Sequence, residues 1–231
     1  MKKMLAVILT VSLTVCISLC ISSVFENSSA VSGVNKNAKA NLVIDAGHGG
    51  IDAGTVGVDG ALEKEINLSI ALNLYDFARA SGINSRLVRD GDYLVYAEND
   101  DKKRSDLYNR MNFINGIEKA VMISIHQNHF EDEKEWGAQI WYSPNDPSSK
   151  ILADGILSVI NDNLQKNNTR ENKKSDSSYY LLYKARVPSV MVECGFMSNT
   201  AENKMLQDSA YQKKTAYSIM LGYADFLTKE L

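Results

Sequence analysis

The sequence has few cysteines, few histidines and no excess of basic charge. It contains three Cys, three His and three Pro among 231 residues. Cys16 and Cys20 lie in an apolar N-terminal run, so Cys194 is alone in the remainder and no disulfide can form there. Leaving out residues 1–30, with two lysines and one glutamate, changes the net charge from −3 to −4. A mildly acidic chain lacks the basic surface that nucleic-acid binding needs, so we expect no nucleic-acid partner.

The first 30 residues differ in composition from the rest of the chain. Two lysines precede an apolar run over about 4–24, and small residues follow at 28–30. This pattern is typical of a secretory signal peptide, although the run is long enough for an uncleaved membrane anchor. Residues 31–40 are small and polar and are interpreted as a linker, which leaves 41–231 as the main domain. Both interpretations predict an exported protein that meets the membrane only through its N-terminal segment.

From Asn41 onward, short apolar runs alternate with amphipathic stretches. The predicted strands are Leu42–Asp45, Ser85–Arg89, Val121–His126, Ala138–Tyr142 and Ser189–Cys194. The predicted helices are 63–80, 103–118, 148–166, 201–208 and 210–229, with a polar surface loop at Lys166–Ser178. Strands that alternate with helices are typical of the α/β class. We therefore predict a single three-layer domain, with a twisted, mainly parallel sheet flanked by helices.

The segment NLVIDAGHGGIDAGTVGVDGALEKEINL joins the first strand to the first helix through six glycines. Strand, glycine loop and helix are also the layout of phosphate-binding loops, but the spacing fits neither nucleotide-binding pattern. The dinucleotide pattern needs glycine where Asp52 stands, and the aspartates of this segment would repel a polyphosphate. The phosphate-binding interpretation therefore fails.

Four side chains suited to metal binding or proton transfer are predicted to meet at one edge of the sheet. His48 follows the first strand, His126 ends the third, and Glu193 lies at the end of the last. Glu63 begins the helix after the glycine loop and can fold back to the same edge, where ligands of α/β sheets gather. Two histidines and one carboxylate with an open fourth position commonly hold catalytic zinc. A second carboxylate is then free to act on water.

Each of these residues also has a structural interpretation. A single histidine at a strand end is often an ordinary surface residue, and Glu63 could be a carboxylate favoured by the helix dipole. Glu193 is harder to explain, because it lies in the apolar run SVMVECGF, where an unpaired carboxylate is costly to bury. Taken together, the four residues favour a metal site.

Five sequence blocks carry a resemblance to a known family. They are VIDAGHGGIDAGTVG, LEKEINL, MISIHQN, GAQIWY and PSVMVECGFMSN, in this order along the chain. Together they resemble the zinc-dependent N-acetylmuramoyl-L-alanine amidases, whose fold is a twisted sheet flanked by helices. By position, the resemblance implies that His48, Glu63 and His126 ligate Zn²⁺ and that Glu193 is the catalytic glutamate.

Further residues are given supporting roles. Arg110 and Asn115 match a family segment that precedes the ligand strand, and they are implied to support structure. Asp45 and Asp52 are both candidates for the carboxylate that accepts the second N–H of a ligating histidine, and Asp45 could instead cap the loop. Cys194 is expected to face away from the site as a buried apolar residue, since successive strand residues point to opposite faces.

The resemblance implies hydrolysis of the amide bond between the lactyl group of N-acetylmuramic acid and the L-alanine of the stem peptide in peptidoglycan. The GAQIWY block and the single-domain layout are most similar to the sporulation-specific branch. This similarity implies a role in spore cortex maturation through muramic-lactam formation, at the cell wall or forespore envelope. Two alternatives stay open: a zinc peptidase that cuts within the stem peptide, and a non-catalytic wall-binding protein.

Access to the site and its targeting are predicted from what the sequence does not contain. Some members of the family that the sequence resembles carry an extra helix that blocks the site. Residues Ser143–Ser178 accommodate one helix and one polar loop but no such inhibitory helix, so we predict a site open to substrate. No repeat of a wall-binding type is present in the sequence. We therefore hypothesise that an accessory protein contributes to targeting or activation.

Overall fold

The computed structural model of the protein describes residues 41–95 and 102–230. The predicted signal peptide or anchor at 1–30 and the linker at 31–40 lie outside the described residues. Within the described ranges, no helix combines the length and the apolar character needed to cross a membrane.

Among the described residues, six strands form one sheet at the centre of the domain. The strands are β1 (Asn41–Ala46), β2 (Ser85–Leu87), β3 (Ala120–Asn128), β4 (Gln139–Tyr142), β5 (Lys173–Lys174) and β6 (Ser189–Phe196). Their order is β2-β1-β3-β6-β4-β5, and all neighbouring pairs are parallel except β4 with β6. The central strands β1 and β3 are rich in Val, Ile and Met because both of their faces are covered. The predicted mainly parallel sheet is confirmed.

Helices cover both faces of this sheet. They are α1 (Glu63–Ala80), α2 (Lys102–Asn115), α3 (Ser148–Asn163), α4 (Tyr180–Lys184), α5 (Thr200–Gln207) and α6 (Ser209–Glu230). α2 and α4 cover one face, where Val43 and Met122 pack with Met111 and Leu182. α6 packs against α1 and α3 over the opposite face, towards which alternate strand residues such as Ile44 point. The three-layer arrangement is as predicted.

Some element boundaries differ from the predicted ones. The helix predicted to reach residue 118 ends at Asn115, and Lys119 then adopts a positive φ of 51°. The second strand ends at Leu87, so Arg89 lies outside the sheet. Two short elements, α4 and β5, were not predicted, and β5 falls inside the predicted loop. The five residues of α4 and the two residues of β5 are too few to show a periodic pattern.

The carboxyl ends of β1, β3 and β6 lie side by side. Ala46 at the end of β1 is in register with Ile125 of β3, and His126 is in register with Glu193 of β6. Residues at or just beyond these strand ends are therefore brought to one edge of the sheet.

Candidate metal centre

His48 lies two residues beyond β1 in a left-handed backbone conformation, with φ of 63°. This conformation is uncommon for a residue other than glycine, so the surrounding contacts must hold it. The neighbouring Gly47 has no room for a side chain, because a Cβ atom there would overlap the ring of His126. The close approach places the two histidine rings edge to face, with centroids 4.9 Å apart.

Glu63 reaches the same place from the first turn of α1, where it is buried. Its Oε2 lies 3.2 Å from His48 Nε2, and its Oε1 lies 3.0 Å from His126 Nδ1. The backbone N–H of Thr55 donates to Oε2 at 2.8 Å, and that of Gln127 donates to Oε1 at 3.0 Å. The carboxylate is thus fixed between the two histidines from both sides.

These three side chains form a cluster that could hold a metal ion. One ligand atom from each of His48, Glu63 and His126 can be chosen so that all lie within 4.8 Å of one another. Across residues 41–95 and 102–230, no fourth His, Cys, Asp or Glu joins this cluster. Two imidazoles and one carboxylate are a donor set of catalytic zinc sites, in which a fourth position stays open.

The carboxylates around His48 raise the pKa of its ring. Burial alone would lower the pKa of His48, but hydrogen bonds and charges from Glu63 and Asp52 raise it to about 9. Burial alone would likewise raise the pKa of Glu63, but the two histidines hold it well below its usual range. Asp52 Oδ2 lies 2.8 Å from His48 Nδ1, and its Oδ1 accepts a hydrogen bond from Lys103. Of the two candidate aspartates, Asp52 is therefore the one that contacts a ring nitrogen.

Glu193 approaches the cluster from β6, beside His126 on β3. Its Oε2 is buried and has no hydrogen-bond partner in the part of the chain that the structure describes. Burial raises the pKa of Glu193 to about 7. The charge of His126 opposes this rise and that of Glu63 adds to it. A buried carboxylate oxygen without a donor is costly, so its position is best explained by a group from outside the chain.

Asp45 supports the loop through Arg110. Asp45 is fully buried and accepts hydrogen bonds from Arg110 Nη1 at 2.6 Å and from Ser124 Oγ at 2.7 Å. Arg110 donates in turn to the carbonyls of Ala46 and His48, at 2.8 and 2.6 Å. The oxygens of Asp45 thus bond to side chains of α2 and β3, and it is Arg110 that fixes the backbone around His48.

Arg89 is a further contributor, which the sequence analysis did not identify. Its side chain is only 1% exposed, and it donates to the carbonyls of Ala46, Gly47 and Lys64 at 2.8 to 2.9 Å. These bonds tie the loop before His48 to the first turn of α1. Nothing in the sequence alone indicates this role, because Arg89 was predicted to be the last residue of the second strand and its acceptors lie far from it along the chain.

Asn115 and Cys194 have structural contacts elsewhere in the domain. The Asn115 side chain accepts a hydrogen bond from the backbone N–H of Arg186 at 2.9 Å, and its amide donates to the carbonyl of Lys184 at 3.4 Å. It therefore joins α2 to the segment after α4, and the structure does not bring it to the histidines. Cys194 is a buried free cysteine, and burial raises the pKa of its thiol. It is a small buried residue, as expected.

A cavity of about 260 Å³ opens beside the two histidines. His48 and His126 line one end of it, and Tyr179 and Met191 contribute to its mainly apolar wall. The ring of Tyr179 stacks on Trp141, with centroids 4.5 Å apart, so this wall is anchored to β4. The cavity provides a route from solvent to the histidines.

A sequence model of a known family matches most of the chain. It is described as N-acetylmuramoyl-L-alanine amidase and spans residues 42–225, which include the three clustered residues and Glu193. The chain belongs to the N-acetylmuramoyl-L-alanine amidase family. Its enzyme class is accordingly that of an N-acetylmuramoyl-L-alanine amidase that acts on peptidoglycan, as predicted from the sequence blocks.

Relatives of this amidase match over most of its length. The germination-specific N-acetylmuramoyl-L-alanine amidase of Bacillus subtilis (strain 168) is 32% identical over 193 residues, covering 82% of this chain and 80% of that protein. The CwlD amidase of Clostridioides difficile, solved in complex with the GerS lipoprotein, is 38% identical with a TM-score of 0.79. That match covers 82% of this chain and 99% of the other. AmiC2 of Nostoc punctiforme is 28% identical with a TM-score of 0.72, over 85% and 99% of the two chains. These structures confirm the predicted fold.

Proposed function

We propose that this amidase uses a zinc ion held by His48, Glu63 and His126. The observation that carries the proposal is the convergence of these three residues, from a loop, a helix and a strand, within 4.8 Å of one another. The donor set fits zinc, since imidazole nitrogen is a good zinc ligand whereas calcium and magnesium prefer sites made of oxygen atoms. The unpartnered Oε2 of Glu193 beside the cluster fits an ion or a substrate in the same place.

The proposed reaction is hydrolysis of the amide between the lactyl group of N-acetylmuramic acid and L-alanine. Zinc bound in the cluster would supply Lewis acidity, polarising the scissile carbonyl and making the attacking water more acidic. Glu193 accepts the proton of that water on its Oε2 and delivers it to the alanine nitrogen as the carbon–nitrogen bond breaks. Because burial raises the pKa of Glu193, its carboxylate is a stronger base than that of an exposed glutamate.

Asp52 sets the orientation of the His48 ring. Its carboxylate bonds to Nδ1, so Nε2 is the nitrogen that faces Glu63 and the centre of the cluster. A carboxylate in this position fixes the ring and makes the other nitrogen a better ligand. Arg110 complements it by holding the carbonyl of His48 itself.

The biological role that we propose is maturation of the spore cortex, by removal of stem peptides as the step that precedes muramic-lactam formation. It is supported by the two relatives with the highest identities given above, one named as germination-specific and the other as CwlD. The protein would act outside the cytoplasm, at the cell wall or forespore envelope, as the N-terminal sequence predicts. We also propose an accessory protein as partner, since the CwlD amidase was solved in complex with the GerS lipoprotein.

Metal analysis tests the zinc site. The full-length protein and its His126→Ala variant are loaded with zinc and dialysed, and their metal content is measured by elemental mass spectrometry. His129→Ala is the control, since His129 is exposed just beyond the end of β3. We expect about one zinc per chain for the wild type and the control, and a large loss for His126→Ala. Unchanged zinc in His126→Ala would remove this residue from the ligand set.

Analysis of spore peptidoglycan tests the biological role. Spores of a strain that lacks the gene are digested with a muramidase, and the fragments are separated and identified by mass. We expect muramic lactam to disappear and to return with the wild-type gene but not with the Glu193→Gln variant. Normal muramic-lactam content in the deletion strain would overturn the cortex role while leaving the amidase reaction intact.

A further inference from the structure

Asn67 occupies a central position beneath the cluster. It lies on α1 one helical turn after Glu63, and its side chain is fully buried. Its Nδ2 donates to Glu63 Oε1 at 3.1 Å and to the carbonyl of Gly47 at 3.2 Å. Its Oδ1 accepts a hydrogen bond from Gln127 Nε2 at 3.1 Å.

Each of these hydrogen bonds leads to a segment that carries a clustered residue. Gly47 directly precedes His48, Gln127 directly follows His126, and Glu63 belongs to the cluster itself. The three segments are a loop after β1, the first turn of α1 and the end of β3. One amide group therefore joins all three elements by hydrogen bonds.

The chemistry of the amide group explains why asparagine suits this position. The NH₂ group has two N–H donors for the two oxygens, and the carbonyl oxygen accepts the bond from Gln127. Aspartate has nearly the same shape but no donor, and it would place a carboxylate against Glu63. Leucine has a similar volume and forms no hydrogen bond. It would leave Nε2 of Gln127 without its acceptor and would remove one donor each from Glu63 and from the carbonyl of Gly47.

We propose that Asn67 is a positioning residue that holds the loop, helix and strand at metal-binding spacing before the ion arrives. This inference rests on the proposed zinc site. When the ligands are already in place, no free energy of binding is lost in ordering them. The affinity of a preorganised cluster for the metal is therefore higher. Loss of a residue that orients metal ligands typically weakens metal binding by about 10- to 100-fold.

The test is a competition titration of the full-length protein with a zinc chelator at pH 7.5, which gives the Kd for zinc. Asn67→Asp and Asn67→Leu are compared with the wild type at a temperature where unfolding curves show every protein to be folded. We expect both variants to bind zinc about 10- to 100-fold more weakly. The absorption spectrum of bound cobalt gives a second readout, and we expect it to change in both variants because the ligand geometry changes.

Two control variants on the same helix separate positioning from general stability. The amide of Asn73 donates to the carbonyl of Ser69, one turn earlier in α1, and within residues 41–95 and 102–230 it has no hydrogen bond to a clustered residue, so Asn73→Leu should leave the Kd for zinc unchanged. Leu74 is fully buried in the core, so Leu74→Ala should lower the melting temperature without changing that Kd. If Leu74→Ala weakened zinc binding as much as the Asn67 variants, loss of stability would explain the result and the inference would be wrong.

Gln127→Met keeps the test decisive if the Asn67 variants do not fold. It removes the side-chain bond to Asn67, together with the side-chain hydrogen bond between Gln127 and the buried Cys194, while the backbone N–H of residue 127 still donates to Glu63. We expect weaker zinc binding from this variant too, by about tenfold.

The outcomes distinguish this inference from the proposed function. If wild type and His48→Ala bound zinc equally, the zinc site itself would be wrong. If His48→Ala lost zinc while the Asn67 variants, or Gln127→Met in their place, stayed within twofold of wild type, only the positioning role would be overturned.

Discussion

Two glutamates, Glu193 on β6 and the buried Glu202 just beyond it, differ in their hydrogen bonding. Both oxygens of Glu202, on α5, accept a hydrogen bond from the N–H of Gly137 at 3.0 Å, and Oε2 also accepts one from Phe196 at 2.8 Å. Glu193, on β6, has a buried Oε2 without a partner among the described residues. Burial raises the pKa of both carboxyl groups, but only Glu202 has backbone donors that oppose the rise.

Glu202 is thus a structural carboxylate, whereas the carboxylate of Glu193 is available for chemistry. Glu202 links the end of β6 to the segment before β4, and its oxygens are occupied by the chain itself. Glu193 has an oxygen that only water, a metal ion or a substrate can satisfy. The same criterion places Asp45 with Glu202, because both its oxygens bond to side chains of the domain. Asp52 is intermediate, because it bonds to His48 and to the exposed Lys103.

The largest effect on activity is expected for Glu193→Gln. The amide cannot accept the proton of the attacking water, so the rate on purified peptidoglycan should fall by about 10²- to 10⁴-fold. The melting temperature should stay the same or rise, since an unpartnered buried carboxylate is removed. Bound zinc should stay at the wild-type level. A variant with wild-type activity would show that Glu193 does not transfer the proton.

The largest effect on stability is expected for Asp45→Asn. It removes one of the two carboxylates paired with the buried Arg110 and leaves Asp106, so the cost in the free energy of unfolding should be at most the roughly 3–5 kcal/mol that is typical of breaking a buried pair. Urea unfolding at pH 7 measures this cost. Asp154→Asn, in an exposed pair with Lys150, is the matched control and should change little. An equal, small effect of the two substitutions would contradict the assignment of Asp45.

The contribution of Asp45 should also depend on pH. Arg110 and Ser124 lower the pKa of Asp45 although burial alone would raise it. A lowered pKa in the folded state stabilises the protein above the pKa of the unfolded state, about 3.9, and this contribution is lost as the pH falls through the folded value. The difference in unfolding free energy between wild type and Asp45→Asn should therefore be constant near neutrality and shrink in acid below about pH 4. If the difference grew in acid instead, the pKa of Asp45 would not be lowered in the folded protein.

A smaller effect is expected for Asp52→Ala. Loss of the carboxylate on His48 Nδ1 should weaken zinc binding by about 10- to 100-fold, with little change in stability because Asp52 is partly exposed. Chelator competition measures the zinc affinity. Asp92→Ala removes another carboxylate of the same neighbourhood, which bonds to Lys64 and Gly50 but to no histidine. Its zinc affinity should equal that of the wild type, and a similar loss in both variants would point to loop disorder rather than to ring orientation.

The smallest effect is expected for Glu202→Gln. One NH₂ group would then face backbone N–H donors, so about 1–3 kcal/mol of unfolding free energy should be lost. The activity per folded molecule should be retained, which makes this variant the counterpart of Glu193→Gln. If the activity fell by more than the fraction of unfolded protein explains, Glu202 would also be needed for the reaction, and the two glutamates would not differ in role.

Much of the fold and of the cluster could be predicted because the sequence signals are local. Apolar runs such as LVI and VMISI mark buried parallel strands, and the residues just beyond a strand end must lie at the edge where ligands gather. His48, Glu63 and His126 were found in this way together with the family resemblance. In the structure, ligand atoms of the three side chains lie within 4.8 Å of one another.

The parts that escaped prediction depend on long-range packing. Arg89 is 41 positions beyond His48 in the sequence, and nothing local shows that its side chain turns beneath the glycine loop. Asn67 is part of an ordinary helical pattern, and its role becomes visible only when the end of β3 lies beside it. The choice between Asp45 and Asp52 likewise depended on distances that spacing along the chain does not encode.

Amide hydrolysis by Glu193 at the proposed zinc site is tested most directly by mass spectrometry of purified peptidoglycan digested with the zinc-loaded protein. We expect intact glycan strands with free lactyl carboxyl groups, and released peptides that begin with a free N-terminal L-alanine. Glu193→Gln, with zinc still bound, should give neither product. Peptides cut internally, with alanine still attached to muramic acid, would contradict the account and identify a peptidase instead.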